Sequence, residues 1–290
     1  MIGPMLREAR PRQWVKNVLV FAAPGAAGVL NRGHELGTIL IVFVAFCMVS
    51  SGTYYWNDIL DVAADRQHPK KRHRPIAAGL VPLPLARVVG TGLLLGGVAL
   101  GLATGRWQTS LVLALYSITT TLYSKVFKHM AVVDLVLVAS GFVLRAVAGA
   151  VGGDVPMSKW FVLVTVFGSL FIVTGKRYAE LREMGEEAAT TRATLLAYSL
   201  SYLRLVLSIT VGATLVSYCL WAFETAEAHP SSYHFYELTI VPMLIALLRY
   251  LLILEQGHGG APEEVFLADR TLQAFGLLWL VVFGLGVYVH

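Results

Sequence analysis

The chain has 290 residues, a mean hydropathy of +0.66, 56% hydrophobic residues and only 14% charged ones, which excludes an ordinary soluble domain and describes a polytopic all-α membrane protein. The net charge of +5 does not indicate nucleic acid, because Lys and Arg are confined to short loops between apolar runs. The two cysteines, Cys47 and Cys219, both lie inside apolar runs and exclude a disulfide framework or a CxxC metal site.

Residues 1–17, MIGPMLREARPRQWVKN, read as a cytoplasmic amphipathic arm. Arg7, Arg10, Arg12 and Lys16 can lie at the headgroup surface with Trp14 as an interfacial anchor. Alternatively the arm folds over the cytosolic mouth, and Arg10, Arg12, Lys16 and Asn17 meet a phosphate there. Apolar segments follow at about 15–31, 36–62, 83–104, 107–125, 130–150, 158–180, 194–223, 234–254 and 266–289, which predicts nine transmembrane helices in one domain spanning 1–290. The first is broken at Pro24-Gly25 and is read as a span, not as a cleaved signal. With the N-terminus inside, only Arg32, Arg106 and Lys159 fall in outer loops, while Arg145 and Arg204 lie within spans. The positive-inside rule therefore predicts a cytoplasmic N-terminus, with cytoplasmic loops at 62–82 and 176–193. The outer segment 224–237 carries nothing that suggests catalysis. The second and sixth spans both end in a charged helix, a positional hint of two four-helix units plus a ninth helix.

The chemistry concentrates at 57–75, NDILDVAADRQHPKKRHRP. Asp58, Asp61 and Asp65 are spaced i, i+3, i+7, which on a continuous helix places them on one face with Asn57 at its edge. Arg66, Lys70, Lys71, Arg72 and Arg74 follow. Segregated signs argue against simple i,i+4 salt bridging. A carboxylate ridge attracts a divalent cation, and a basic cluster beside it attracts phosphate. Mg²⁺ commonly joins one or two carboxylates to substrate phosphates, so the stretch predicts a cytosol-facing Mg²⁺–diphosphate site, with Mn²⁺ the alternative metal. Ser50, Tyr54, Asn57 and Asp61 form a polar line from the bilayer toward it.

Further along, Tyr123 and Lys128 suggest a polar lip near a phosphate. Arg145, with Asp134 three turns away on the same helix, is an intramembrane arginine, and such residues are functional-site candidates. The sixth span ends in GKRYAELRE, where Lys176, Arg177 and Tyr178 could face a phosphate, while Lys176 and Glu180 could equally form a salt bridge.

NDxxDxxxD at the end of the second span, the RHRP segment and a nine-helix plan together resemble the UbiA superfamily of intramembrane prenyltransferases. In most of that superfamily a second aspartate-rich motif closes the sixth span. Here GKRYAELRE stands in its place, and with RPRQWVKN at the start the chain is similar to the actinobacterial branch of decaprenyl-phosphate phosphoribosyltransferases. The resemblance implies that Asn57, Asp58, Asp61 and Asp65 hold Mg²⁺ around the diphosphate of phosphoribosyl pyrophosphate, and that a polyprenyl phosphate accepts the phosphoribosyl group in the route to cell-wall arabinan. It also implies a plasma-membrane location. Asp58, Asp61, Lys176 and Arg177 would be catalytic. Lys16, Asn17, Tyr54, Asn57, Lys70, Arg72, Arg74, Tyr123, Lys128, Arg145 and Tyr178 would contact substrates. Apolar helix faces leave room for a homo-oligomer. The competing expectation is an aromatic or haem prenyltransferase using a prenyl diphosphate, with Glu180 and Glu183 as its second acidic cluster.

Overall fold

The computed structural model describes residues 2–184, 193–229 and 234–288, so parts of the expected loops 176–193 and 224–237 lie outside the described residues. Its helices are α1 (Ile2–Glu8), α2 (Ala22–Ala26), α3 (Gly33–Leu60), α4 (Val62–Gln67), α5 (Leu83–Gly101), α6 (Trp107–Lys125), α7 (Val133–Gly152), α8 (Lys159–Met184), α9 (Leu200–Ala228), α10 (Phe235–Leu238), α11 (Ile240–Glu255), α12 (Pro262–Ala268) and α13 (Arg270–Tyr288).

Seven stretches of the described residues are helices long and apolar enough to cross a membrane, where nine spans were expected. One of the other two expected spans is α6, an unbroken helix of 19 residues whose serines and threonines dilute its hydropathy. The other, 15–31, is not a continuous α-helix. Pro11–Phe21 forms a 3-10 helix, and α2 ends at Ala26 just after Pro24-Gly25. Several boundaries also move. The span expected from residue 194 begins at Leu200, because the Ser199 hydroxyl caps the helix by accepting from the Tyr202 amide at 3.1 Å. The last expected span divides at Asp269, whose carboxylate accepts from the Leu272 amide at 2.8 Å and from Arg249 Nη2 at 2.7 Å.

The chain forms two compact units, residues 1–127 with 144–156, and residues 128–143 with 157–290. In the first, α3 and α5 lie closely side by side. A Cβ on Gly52 would come within 2.7 Å of Leu94 Cγ and 2.9 Å of the Gly90 carbonyl oxygen. One on Gly97 would meet Val49 Cγ2 at 2.6 Å. Small residues let membrane helices approach, which matters where lipid removes most of the hydrophobic drive for helix association. Ile39, Val42, Phe46 and Val49 of α3 form the core of this unit with Leu113 and Tyr116 of α6 and Ala148 of α7. In the second unit, Phe171, Val173 and Tyr178 of α8 pack with Leu203 and Leu207 of α9 and with Tyr250, Ile253 and Leu254 of α11.

Candidate active site

In the first unit the site is built at the end of α3. That helix stops at Leu60, and Asp61 takes φ −93, ψ 4 before α4 resumes. The backbone bonds Asp61 N–H to Asn57 O (2.9 Å) and Asp65 N–H to Asp61 O (2.8 Å) continue across the break. The expected ridge on one continuous helix is therefore kinked at its middle carboxylate. Asp58 and Asp65 are each 3% exposed, whereas Asp61 is half-buried.

The two buried aspartates converge on arginine. Arg74 Nη1 lies 3.1 Å from Asp58 Oδ1 and 2.7 Å from Asp65 Oδ2. Arg74 precedes Pro75, which forces an extended backbone (φ −62, ψ 141). Arg10 Nη2 donates to both oxygens of Asp58, at 2.7 and 2.6 Å, and its guanidinium lies 4.8 Å from the centre of the Tyr54 ring. Arg10 itself occupies the left-handed region (φ 52). For a non-glycine residue that conformation costs roughly 1–2 kcal/mol.

The arm is thus folded onto α3 and is not a surface float. Tyr55 OH donates to Met5 O at 2.8 Å, Ser51 Oγ to Ala9 O at 2.9 Å, and Trp14 Nε1 to Ser51 Oγ at 3.1 Å. Trp14, expected as an interfacial anchor, binds helix instead. Docking buries Glu8 to 1% exposure with neither carboxyl oxygen hydrogen-bonded. Burial and the neighbouring Asp58, opposed by Arg10, push the Glu8 carboxyl up from 4.5 to about 8.

Other expected residues of this unit separate into internal and exposed ones. Asn17 is fully buried. Its amide donates to Ser50 Oγ and Cys47 Sγ at 3.3 Å, and its oxygen accepts from Arg145 Nε at 2.8 Å. Arg145 is 5% exposed, donates to Tyr116 OH at 3.0 Å and lies over the Phe46 and Tyr116 rings at 5.4 and 4.8 Å. Both residues, expected to touch substrate, lie inside and knit the 3-10 segment to α3, α6 and α7. Lys16, Asn57 and Tyr123 are half-buried, and Lys70 and Arg72 are exposed.

In the second unit, Lys176 and Arg177 do not act as a pair. Successive residues on a helix point about 100° apart. Lys176 is 42% exposed with Glu180 at 3.9 Å. Arg177 is 3% exposed and lies 3.2 Å from Asp134 and 3.0 Å from Glu180. Arg177, expected to face a phosphate, is held inside as the counter-ion of Asp134 and Glu180. Tyr178 is likewise internal, donating to Glu255 at 3.0 Å and accepting from Arg204 Nη2 at 3.2 Å. Arg204 reaches Glu255 at 3.0 Å, and Arg182 meets the Glu255 backbone carbonyl. Lys128, half-buried in the short turn 127–129, has its carbonyl bound by Thr194 Oγ1 at 3.0 Å. Asp134 also accepts from Tyr198 OH at 2.5 Å, and burial pushes that phenol above its usual range.

Sequence reasoning missed Glu8, Tyr198 and Glu255, and saw Arg10 only as part of the arm. Nothing in local spacing marks them, because their partners lie far along the chain. Arg10 and Asp58 are 48 residues apart, and Tyr198 and Asp134 are 64 apart.

Among the described residues no three His, Cys, Asp or Glu side chains gather as a complete metal ligand set. Asn57, Asp58, Asp61 and Asp65, expected to hold the ion together with substrate phosphate, do not form such a set by themselves. The chain breaks at Asp61, and Arg74 sits between the other two carboxylates. What does fit is a cation held by two carboxylates and completed by substrate phosphate, since Asp58 and Asp65 already converge on one cationic atom.

The model of the UbiA prenyltransferase family matches residues 18–287. The chain belongs to the UbiA family. Among its relatives, decaprenyl-phosphate phosphoribosyltransferase of Corynebacterium glutamicum is 42% identical over 98% of this chain and 87% of its own length. The enzyme of that name from Mycolicibacterium smegmatis is 41% identical over 99% and 93%. A solved UbiA homolog from Archaeoglobus fulgidus, bound to DMAPP and Mg²⁺, has a TM-score of 0.72 at 17% identity and 99% coverage of both chains. That likeness gives the UbiA fold; family membership and the apolar helices make the protein an integral multi-pass membrane protein.

Proposed function

We propose that the protein transfers the 5-phosphoribosyl group from phosphoribosyl pyrophosphate to a polyprenyl phosphate, decaprenyl phosphate by analogy with its relatives, and releases diphosphate. The observation that carries this reading is identity of 41–42% along nearly the whole chain to enzymes of that name. The sixth-span motif supports it against a prenyl diphosphate donor. That alternative needs Glu180 in a second acidic cluster, and Glu180 is engaged by Arg177 and Lys176. The site is taken to face the cytoplasm, as the Lys and Arg distribution predicts, in a chain read as one domain over 1–290.

Asp58 and Asp65, with Asp61 and Asn57, would hold a divalent cation, Mg²⁺ or Mn²⁺. When bound, the ion supplies charge neutralisation for the departing diphosphate. Arg74, which bridges Asp58 and Asp65, and with it Arg72 and Lys70 of the same loop, would neutralise the diphosphate. The bond from ribose C1 to the diphosphate oxygen breaks, and its electron pair leaves with diphosphate. An oxygen of the lipid phosphate forms the new bond from the opposite face and inverts C1. That oxygen is already ionised at neutral pH, so no general base is required, and catalysis rests on positioning and electrostatics. Lys16, Lys128 and Lys176 are the cations assigned to the ribose 5-phosphate and the lipid phosphate. Arg145 and Arg177 act behind them through the buried networks.

The test is incubation of purified protein with ribose-labelled phosphoribosyl pyrophosphate, decaprenyl phosphate and Mg²⁺ in detergent. Label passing into the organic phase, lost on chelation and restored by metal, is the expected result. Label that stays aqueous, with prenyl transfer from a prenyl diphosphate to an aromatic acid instead, would reverse the assignment.

A further inference from the structure

The turn before α7 contains a backbone oddity that the mechanism above leaves unused. Val132 has φ 68, a left-handed conformation that a β-branched residue rarely adopts. Such strain persists only where surrounding structure over-determines it, and it clusters at functional sites. Here the surroundings can be named. The Val132 amide donates to Tyr198 OH at 2.6 Å, and that hydroxyl in turn donates to Asp134 Oδ1 at 2.5 Å. Asp134 is fully buried, and its other oxygen takes Arg177. Four residues before Tyr198, Thr194 Oγ1 donates to the Lys128 carbonyl at 3.0 Å. The segment 194–198 therefore grips the turn 128–132 at both ends. Tyr198 and Thr194 are 6% and 2% exposed, so both grips are shielded from water. Lys128 remains half-buried, at the start of the gripped turn.

We propose that Tyr198, supported by Thr194, is a positioning residue for Lys128: it holds the strained turn in the conformation that presents the lysine ammonium to a phosphate monoester, either the ribose 5-phosphate or the lipid phosphate. The hydroxyl of Tyr198 is the key atom. It gives the Val132 amide an acceptor that a relaxed turn would not need, and it is itself anchored by a buried carboxylate. Geometry held in this way matters because small displacements of a charged group cost binding and rate together. The inference rests on the proposed role of Lys128 in phosphate binding.

The experiment compares the full-length protein with Tyr198→Phe, Lys128→Ala, the double variant, and Tyr198→Phe combined with Val132→Gly. KM is measured for phosphoribosyl pyrophosphate and for farnesyl phosphate in detergent, and amide exchange is followed over 127–133. Tyr198→Phe is expected to speed exchange in the turn and to raise KM for one of the two substrates about tenfold, with a smaller change in kcat. Which substrate responds identifies the phosphate. Added to Lys128→Ala, Tyr198→Phe should change that KM no further, the sign of two residues acting through one contact. Val132→Gly removes the steric cost of the positive φ and should restore much of the loss, which a purely packing role for Tyr198 would not allow. Equal effects of Tyr198→Phe with and without Lys128, or no rescue by glycine, overturn the inference. A Lys128→Ala protein with normal KM for both substrates overturns instead the reading of Lys128 on which it rests. If Tyr198→Phe does not fold, Thr194→Val tests the second grip in the same coupling scheme.

Discussion

The end of α3 and the end of α8 each carry a cluster of charged residues, and the two are wired in opposite senses. At α3 the carboxylates are buried and the arginines reach them from a loop and an arm, with Arg10 and Arg74 still 28% and 29% exposed. At α8 the arginine is itself buried, 3% exposed, with Asp134 buried beside it. Cations that approach from outside can be exchanged for a metal ion and its phosphates. A cation enclosed by its own acids cannot leave without stranding them. On the proposed reading the first cluster exchanges ligands and the second holds shape, although a sequence reader sees two comparable runs of charge.

The largest separation between them is expected from removing one member of each. Asp58→Ala should reduce transfer by at least about a hundredfold, the scale of losing a preorganised electrostatic element, while the protein still folds. Full activity in that variant would end the metal assignment. Arg177→Gln should act on stability first, because a broken buried pair leaves an uncompensated charge worth roughly 3–5 kcal/mol. Thermal unfolding in detergent checks it, and an unchanged Tm would mean that Arg177 is not the structural partner described here. Lys176→Ala isolates the exposed member of the sixth-span pair. It should leave Tm unaltered, since an exposed ion pair contributes about 0–1 kcal/mol, yet raise KM for one phosphate substrate by about tenfold.

The most local effect concerns Glu8. Its carboxyl is raised in the folded protein, so the neutral form is the one that docks. Arm docking is then fully favoured below the unfolded value of 4.5 and weakens as pH rises toward about 8. In metal-free buffer, amide protection of residues 2–9 should fall across that window, and Glu8→Gln, which mimics the neutral carboxyl, should flatten the dependence. A slope that persists in Glu8→Gln would place the titrating group elsewhere.

Much of this was legible in the sequence. The i, i+3, i+7 aspartates marked the candidate site, and apolar runs located most of the helices. What was hidden depended on partners remote in sequence or on backbone detail. Adjacent Lys176 and Arg177 carry no local sign of which one is buried, because Asp134, the residue that decides it, is 43 positions away. The kink at Asp61 is likewise invisible to periodicity. The winding of the expected first span is hidden in the same way: its apolar run does not show that the chain up to Phe21 turns every three residues.

That winding has a consequence of its own. In a 3-10 helix, side chains three apart stack above one another. Trp14, Asn17 and Val20 thus form a single row within Pro11–Phe21. Trp14 meets Ser51, and Asn17 meets Ser50 and Arg145. At the row's end, a Cβ on Gly149 would fall 1.8 Å from the Val20 carbonyl oxygen. The segment meshes with its neighbours like a rack with a tooth at every third residue. Loss of a single residue would slip the row by a third of a turn, and Arg10, at its head, would be carried out of register with Asp58.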